Sequence, residues 1–181
     1  AYKGFHVVGA DLNPLAVEAL NAARAPVIEP RLQELIDAAK HRLCATTDIR
    51  EAVKGSEACF VIVPTPTGPD GTFVMDHVLK AAQPIGQALA EKAGYHLIVL
   101  TSTVMPGDTE AHFIPALERI SGKRCGTDFG VCYNPEFIAL GSVVHNMLNP
   151  DFILVGESDE RAGALLESIY RQSCDSEPVF A

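Results

Sequence analysis

No run of the 181 residues is apolar over anything near the roughly 18 positions that a membrane-crossing helix needs, and no basic segment leads into a short apolar one at the start. The expectation is a soluble, cytoplasmic protein with no membrane partner. Positive charge is scarce: 14 Lys and Arg against 23 Asp and Glu leave a net charge of −9. Gripping a nucleic-acid backbone normally takes a basic stripe, so nucleic acid is not expected as a partner. An anionic small ligand remains open, because backbone amides at a helix N-terminus hold phosphate whatever the net charge. Paired cysteines are lacking too. Cys44, Cys59, Cys125, Cys132 and Cys174 are odd in number, widely spaced and form no C-x-x-C, which argues against a zinc site or a disulfide framework. Cys59 and Cys132 lie in apolar stretches and read as small buried hydrophobes. None of the six histidines stands at ligand spacing from another His, a Cys or a carboxylate cluster. No metal site is expected, and His77, His96 and His112 read as structural or surface residues.

What is present is a chain that is 48% hydrophobic and 20% charged, enough to bury a real core. Short β-rich runs alternate with helical stretches. Strands are expected at His6–Asp11, Leu43–Thr47, Ala58–Pro64, His96–Thr101, Phe129–Tyr133 and Phe152–Gly156. Most of these are continuous apolar runs, the pattern of strands buried on both faces. Helices are expected at Pro14–Ala23, with Asn13 as cap and Pro14 in the first position, and at Arg31–His41. Others follow at Ile49–Lys54 between Asp48 and Gly55, at Asp76–Ala93, at Asp108–Ile120 and at Asp159–Arg171. Pro84 should kink the fourth of these or mark its true start. Thr67–Gly71 reads as a loop, and Ser176–Ala181 as either a further strand or a frayed end. The alternation predicts an α/β fold: a doubly wound, parallel, Rossmann-like sheet.

The first strand ends in Gly9-Ala10-Asp11-Leu12-Asn13-Pro14. An acidic residue at the end of the second strand of a dinucleotide-binding sheet accepts hydrogen bonds from the adenosine ribose, and Asp11 occupies that place. Taken alone, such an Asp is more often a turn or cap residue. Its partner, a G-x-G-x-x-G turn some 20 residues upstream, is missing: no two of the 14 glycines flank a single residue. Ala1–Gly4 reads as the last turn of a helix closed by Gly4. The sheet is therefore expected to be incomplete at its N-terminal side. Two inner strand edges would then be left unpaired; either His6–Asp11 and Ala58–Pro64 close up, or another chain supplies a strand and makes a homo-oligomer.

A series of short motifs follows: Pro26-Val27-Ile28-Glu29-Pro30, Thr46-Thr47-Asp48, Val63-Pro64-Thr65-Pro66-Thr67, Ser102-Thr103-Val104-Met105-Pro106-Gly107, Asn134-Pro135-Glu136-Phe137 and Leu148-Asn149-Pro150-Asp151. Several follow buried strands, which puts them at the carboxyl edge of the sheet, where ligands of open α/β sheets bind. Each residue also has a plainer reading. The threonines can satisfy their own turn or cap a helix, and Glu136 can be a solvated loop residue.

In order and register, over nearly all of residues 1–175, the motifs resemble the UDP-glucose/GDP-mannose dehydrogenase family. The resemblance implies NAD as cofactor, a nucleotide sugar as substrate, and oxidation of the sugar C6 alcohol to a carboxylate through a cysteine thioester. It implies cofactor contacts for Asp11, Thr65, Thr67 and Thr103. Catalytic roles fall to Thr103, which helps position a water beside the nicotinamide, and to Glu136, as base or water holder. Glu136, Phe137 and Ile138 would line the substrate site. None of the five cysteines has the family's Gly-x-x-Cys-x-x-Lys-Asp context. Three departures stand out: Ala16 in place of a common basic residue, Ile138-Ala139-Leu140-Gly141 in place of Leu-Arg-Glu-Gly, and Phe152 in place of a frequent arginine. Residues 1–175 are thus expected to form a truncated NAD-binding domain, with 176–181 a tail toward a linking helix. NAD binding should be weak or absent in this chain alone. Two functions compete: part of such a dehydrogenase, inactive by itself, or a non-catalytic Rossmann-like module for nucleotide binding or oligomerisation. The Ser-Thr-Val-x-Pro-Gly and Asn-Pro-Glu-Phe pair argues against a hydroxyacid dehydrogenase.

Overall fold

The apolar run His96–Leu100 forms strand β4, and all five of its residues are buried. Successive side chains of a strand point to opposite faces, so β4 feeds two cores. Ile98 and Leu100 pack with Val61, Val131 and the helices on one side; Leu97 and Val99 pack with Cys132, Ala162 and Leu166 on the other. The computed structural model describes residues 1–181. Around β4 lie β3 (Ala58–Val61), β5 (Phe129–Tyr133) and β6 (Gly156–Glu157), in the order β3-β4-β5-β6. A separate two-stranded sheet joins β1 (Val7–Ala10) to β2 (Leu43–Thr46). The pairs β1–β2, β3–β4 and β4–β5 are parallel, as the alternating pattern predicts.

β1 and β3 do not pair, so the closing-up of these strands is not what happens. Val8 on β1, Phe60 on β3 and Ile62 just beyond it remain exposed. The last expected strand is also displaced. Only Gly156–Glu157 pairs with β5, and it runs antiparallel. Residues 153–155 instead hydrogen-bond to the C-terminal segment, through Ile153 N–H to the Val179 carbonyl (2.8 Å) and Val155 N–H to the Ala181 carbonyl (2.9 Å). The apolar run signalled burial but not its partner: Ile153 is buried while Phe152 and Leu154 on either side are exposed. The same bonds make residues 179–181 extended and paired, the strand-like of their two readings.

The helices are α1 (Pro14–Asn21), α2 (Leu32–Ala39), α3 (Ile49–Lys54), α4 (Asp76–Glu91), α5 (Ile114–Ser121), α6 (Val143–Leu148) and α7 (Glu160–Ser173). The caps act as their chemistry predicts. Asn13 accepts from the Leu15 N–H (3.0 Å), Asp48 from the Glu51 N–H (3.0 Å) and Asp159 from the Ala162 N–H (3.1 Å). Pro84 lies inside α4 and does not mark its start. α6 has no counterpart in the sequence reading; its six residues are too few to show a helical period. The α4–α5 contact depends on Gly86, where a Cβ would lie 2.7 Å from Ile120 Cγ2. Alanine there would gain about 1 kcal/mol of helix propensity and lose roughly 1–3 to overpacking, so the clash wins.

Under the opposite end of β4, the Lys92 ammonium donates to the carbonyls of Val53 (3.1 Å), Lys54 (2.9 Å) and Ser56 (2.6 Å), at the negative pole of α3. His96 lies close by, 0% exposed, with neither ring nitrogen in a well-formed hydrogen bond; the Ser56 backbone offers it only a weak, smaller stabilisation of the charged form. Burial, then the Lys92 charge, lower its pKa from 6.5 to about 4. Between those values the unfolded chain binds a proton that the folded chain refuses, so stability falls as pH drops through that window. The loss should approach about 3 kcal/mol by the lower end. His96→Leu should flatten this part of the profile, measured as urea unfolding free energies across the same window; parallel profiles for variant and parent would remove His96 as the cause.

Candidate functional site

The carboxyl ends of β3, β4 and β5 are tied to one another by side chains. The Ser102 hydroxyl accepts from the Val63 N–H (2.7 Å) and donates to the Val63 carbonyl (2.8 Å), which locks the Val63–Thr67 turn against the Ser102–Gly107 turn. Asn134, 1% exposed, does the same for the next strand. Its N–H donates to the Leu100 carbonyl (2.9 Å) and its Nδ2 to the Leu154 carbonyl (2.8 Å). Its Oδ1 accepts from the Tyr170 hydroxyl of α7 (2.6 Å). Every polar group of that side chain therefore has a partner, and the Asn134–Phe137 segment leaves β5 in a set direction.

Beyond Asn134 opens a cavity of about 190 Å³, with Glu136, Phe137, Ile138, Asp151, Phe152 and Tyr170 among the residues around it. No Lys or Arg lines it. The Phe137 and Phe152 rings lie 4.8 Å apart and give the cavity an aromatic face. Glu136 is half-buried, and burial alone raises its carboxyl pKa. Burial, then the Glu136 charge, push the Tyr170 hydroxyl up to about 12. The arrangement is a carboxylate with reduced hydration and no counter-charge, which suits proton transfer near neutral pH better than an exposed carboxylate would.

Glu136, Phe137 and Ile138 thus meet in one cavity; the other sequence-predicted residues do not line it. Thr103 is exposed beside buried Ser102. Thr65 is half-buried, and exposed Thr67 bridges to Phe73 across the Thr67–Gly71 loop. Asp11 is exposed on the separate β1–β2 sheet, where its Oδ1 accepts from the Asn13 N–H (2.8 Å). Its turn role is therefore real, and it leaves Oδ2 without a protein donor. Thr101, at the end of β4, has a buried hydroxyl with no partner. Asp11 Oδ2 and the exposed Thr103 hydroxyl are thus free polar groups of the kind a dinucleotide takes, while the Thr101 hydroxyl is sealed from solvent. The residues offer no glycine turn for its pyrophosphate. No three His, Cys, Asp or Glu side chains converge closely enough to hold a metal ion. Asn134 and Tyr170 escaped the sequence reading. Asn134 opens a named motif, but Tyr170 lies 36 residues further on and carries no local signal.

A model of the NAD-binding domain of the UDP-glucose/GDP-mannose dehydrogenase family matches residues 1–174. The chain belongs to that family. It is 36% identical over 172 residues to GDP-mannose 6-dehydrogenase of Pseudomonas aeruginosa, covering 94% of this chain and 39% of that protein. It is 39% identical over 171 residues to a UDP-glucose 6-dehydrogenase of Haloferax volcanii, covering 94% and 40%. Among solved structures, GDP-mannose dehydrogenase from Pseudomonas aeruginosa superimposes with a TM-score of 0.92 at 34% identity, over 98% of this chain and 41% of that one. UDP-glucose dehydrogenase from Pyrobaculum islandicum gives 0.89 at 36%, over 99% and 41%. The chain therefore spans about two fifths of these relatives' length. The fold is the Rossmann-like α/β fold of these dehydrogenases, and NAD is the family's cofactor.

Two outcomes follow from the geometry. Tyr170→Phe strips the buried Asn134 Oδ1 of its donor and should cost about 1–3 kcal/mol in urea unfolding; an unchanged midpoint would mean that the bond contributes nothing. Because the Glu136 pKa is raised, the folded chain keeps a proton there that the unfolded chain has released, and stability falls as pH rises above the ordinary carboxyl range. Glu136→Gln should then be more stable than the parent near neutral pH and lose that advantage in acid, with equal pH profiles counting against it.

Proposed function

We propose that these residues are the cofactor-binding part of an NAD-dependent nucleotide-sugar 6-dehydrogenase, which oxidises the sugar C6 alcohol to a carboxylate. The observation that carries this reading is the Glu136 carboxylate, half-buried and without a cation, at the carboxyl end of β5 in a cavity large enough for part of a sugar. Asp11 accepts from the adenosine ribose, and Thr65 and Thr67 hydrogen-bond the cofactor. Thr103 orients a water without adding charge, and Glu136 holds that water or takes its proton. Phe137 and Ile138 give the sugar nucleotide an apolar wall. NAD, when bound, is the hydride acceptor. The cysteines here do not supply the nucleophile for the covalent step: burial raises the Cys59 and Cys132 thiols to about 12 and those of Cys125 and Cys174 upward, and exposed Cys44 lies on β2 of the separate sheet and does not line the Glu136 cavity. The oxidation therefore belongs to the complete enzyme, and these residues alone do not turn over.

The reading is tested by titrating UDP-glucose and GDP-mannose into the isotopically labelled chain. One of them should shift the amides of Glu136–Ile138 and Asp151–Ile153, while calorimetry finds NAD binding weaker than micromolar for want of a pyrophosphate cradle. Shifts confined to other surfaces, or none at millimolar sugar nucleotide, would overturn it. A homo-oligomer is the second part of the proposal, supported by the unpaired edges of β1 and β3 and their exposed Val8, Phe60 and Ile62. A monomeric mass by light scattering at micromolar concentration would remove it.

A further inference from the structure

Glu29 is the single charged residue of the Pro26–Pro30 segment, and the proposed chemistry makes no use of it. Its carboxylate nevertheless reaches 112 positions along the chain. Oε2 accepts from the Gly141 N–H (3.0 Å) and Oε1 from the Val143 N–H (2.8 Å). Neither donor lines the Glu136 cavity itself; both lie in the stretch of chain that joins two residues that do, Ile138 and His145. That connecting loop has little else to hold it. The Ser142 N–H closes a local turn on the Ala139 carbonyl (3.0 Å), Leu140 is 97% exposed, and Gly141 has a φ of 85°, where side chains are disfavoured.

The Glu29 side, by contrast, is braced. Ala23 (φ 54°) and Arg31 (φ 66°), both non-glycine residues in the left-handed region, bracket the segment. The Gln33 amide pins the residues just before it, donating to the Ala23 carbonyl (2.8 Å) and accepting from the Ala25 N–H (2.9 Å). Glu29 also spans the division between the two sheets, from the body carrying β1 and β2 to the loop that follows β5.

We propose that Glu29 is a positioning residue: by holding both amides on one carboxylate, it sets the place of the Ile138–Ser142 loop and with it the width of the cavity that Glu136 lines. The proposal rests on the reading of that cavity as the nucleotide-sugar site. A carboxylate offers two acceptor oxygens to two donors. Glutamine keeps the shape but turns one of them into a donor facing a donor.

The test compares the full chain with Glu29→Gln and Glu29→Ala by amide hydrogen exchange. In Glu29→Gln, Gly141 or Val143 should exchange about tenfold faster, with Ile98 and Val131 of the four-stranded sheet unchanged. Unchanged exchange at both amides, or acceleration of the whole sheet, overturns the proposal. If Glu29→Ala loosens the entire chain, the isosteric Glu29→Gln decides. A second arm measures UDP-glucose and GDP-mannose affinity, expected to weaken several-fold in Glu29→Gln at an unchanged denaturation midpoint. Affinity equal to the parent's, with Gly141 and Val143 freed, removes the positioning role. A parent chain that binds neither sugar nucleotide defeats the functional reading and with it the ligand role, while the exchange arm still decides whether the carboxylate holds the loop.

Discussion

Burial of β4 on both faces is the constraint from which the other features follow. Five consecutive buried residues cannot be covered by one layer of helices, so α4 and α5 must close one face and α7 the other. Each fully buried Leu or Ile contributes roughly 2 kcal/mol, which makes this strand the strongest single organiser of the chain. It also sets where polar chemistry can go. With both faces sealed, ligands can be met only at the strand ends. At the amino end stands His96, kept neutral by its burial. At the carboxyl end stand Thr101, Ser102 and Thr103, and beside them the ends of β3 and β5.

The carboxyl edge is held by side chains where the ladder of backbone bonds stops. Ser102 grips both polar groups of Val63, and Asn134 is saturated by Leu100, Leu154 and Tyr170. This separates support from chemistry. The residues that carry the support, Ser102 and Asn134, are buried and satisfied, whereas Thr103 and Glu136, to which the proposed function gives ligand roles, have no side-chain hydrogen bond within the protein. Glu136 is the extreme case, with an aromatic pair nearby and no guanidinium or ammonium in the cavity lining. Its raised pKa is a direct result of that surrounding.

The two sheets share no strand pairing and are joined instead by α3, which packs on β1 and on α4, and by polar links between distant segments. Glu29 ties the segment between α1 and α2 to the loop beyond β5. Lys3 pairs with Asp175, and Gln172 donates to the Lys3 carbonyl (3.0 Å), which ties the start of the chain to the end of α7. Both polar links run to the α6–α7 side of the chain. Asp11 is carried on the β1–β2 sheet. Its place relative to the strand-end hydroxyls is set by these polar contacts and by the packing of α3, not by a continuous ladder.

Much of this was legible in the residues themselves. The continuous apolar runs at His96–Leu100 and Phe129–Tyr133, the caps at Asn13, Asp48 and Asp159, and the alternation that implies a parallel sheet are local signals, because each is decided by neighbours a few positions away. The motif order was local in the same sense, and it identified the lineage and the Glu136–Ile138 part of the cavity. Tertiary structure alone decided the rest. The antiparallel turn of Gly156–Glu157, the pairing of Ile153–Val155 with the C-terminal segment, the failure of β1 and β3 to meet, the Tyr170–Asn134 bond and the reach of Glu29 all join residues far apart in sequence. Periodicity states which side of a residue is buried. It does not state what covers it, and hydrogen-bond partners across such separations exist only once the cores on either side of β4 have closed.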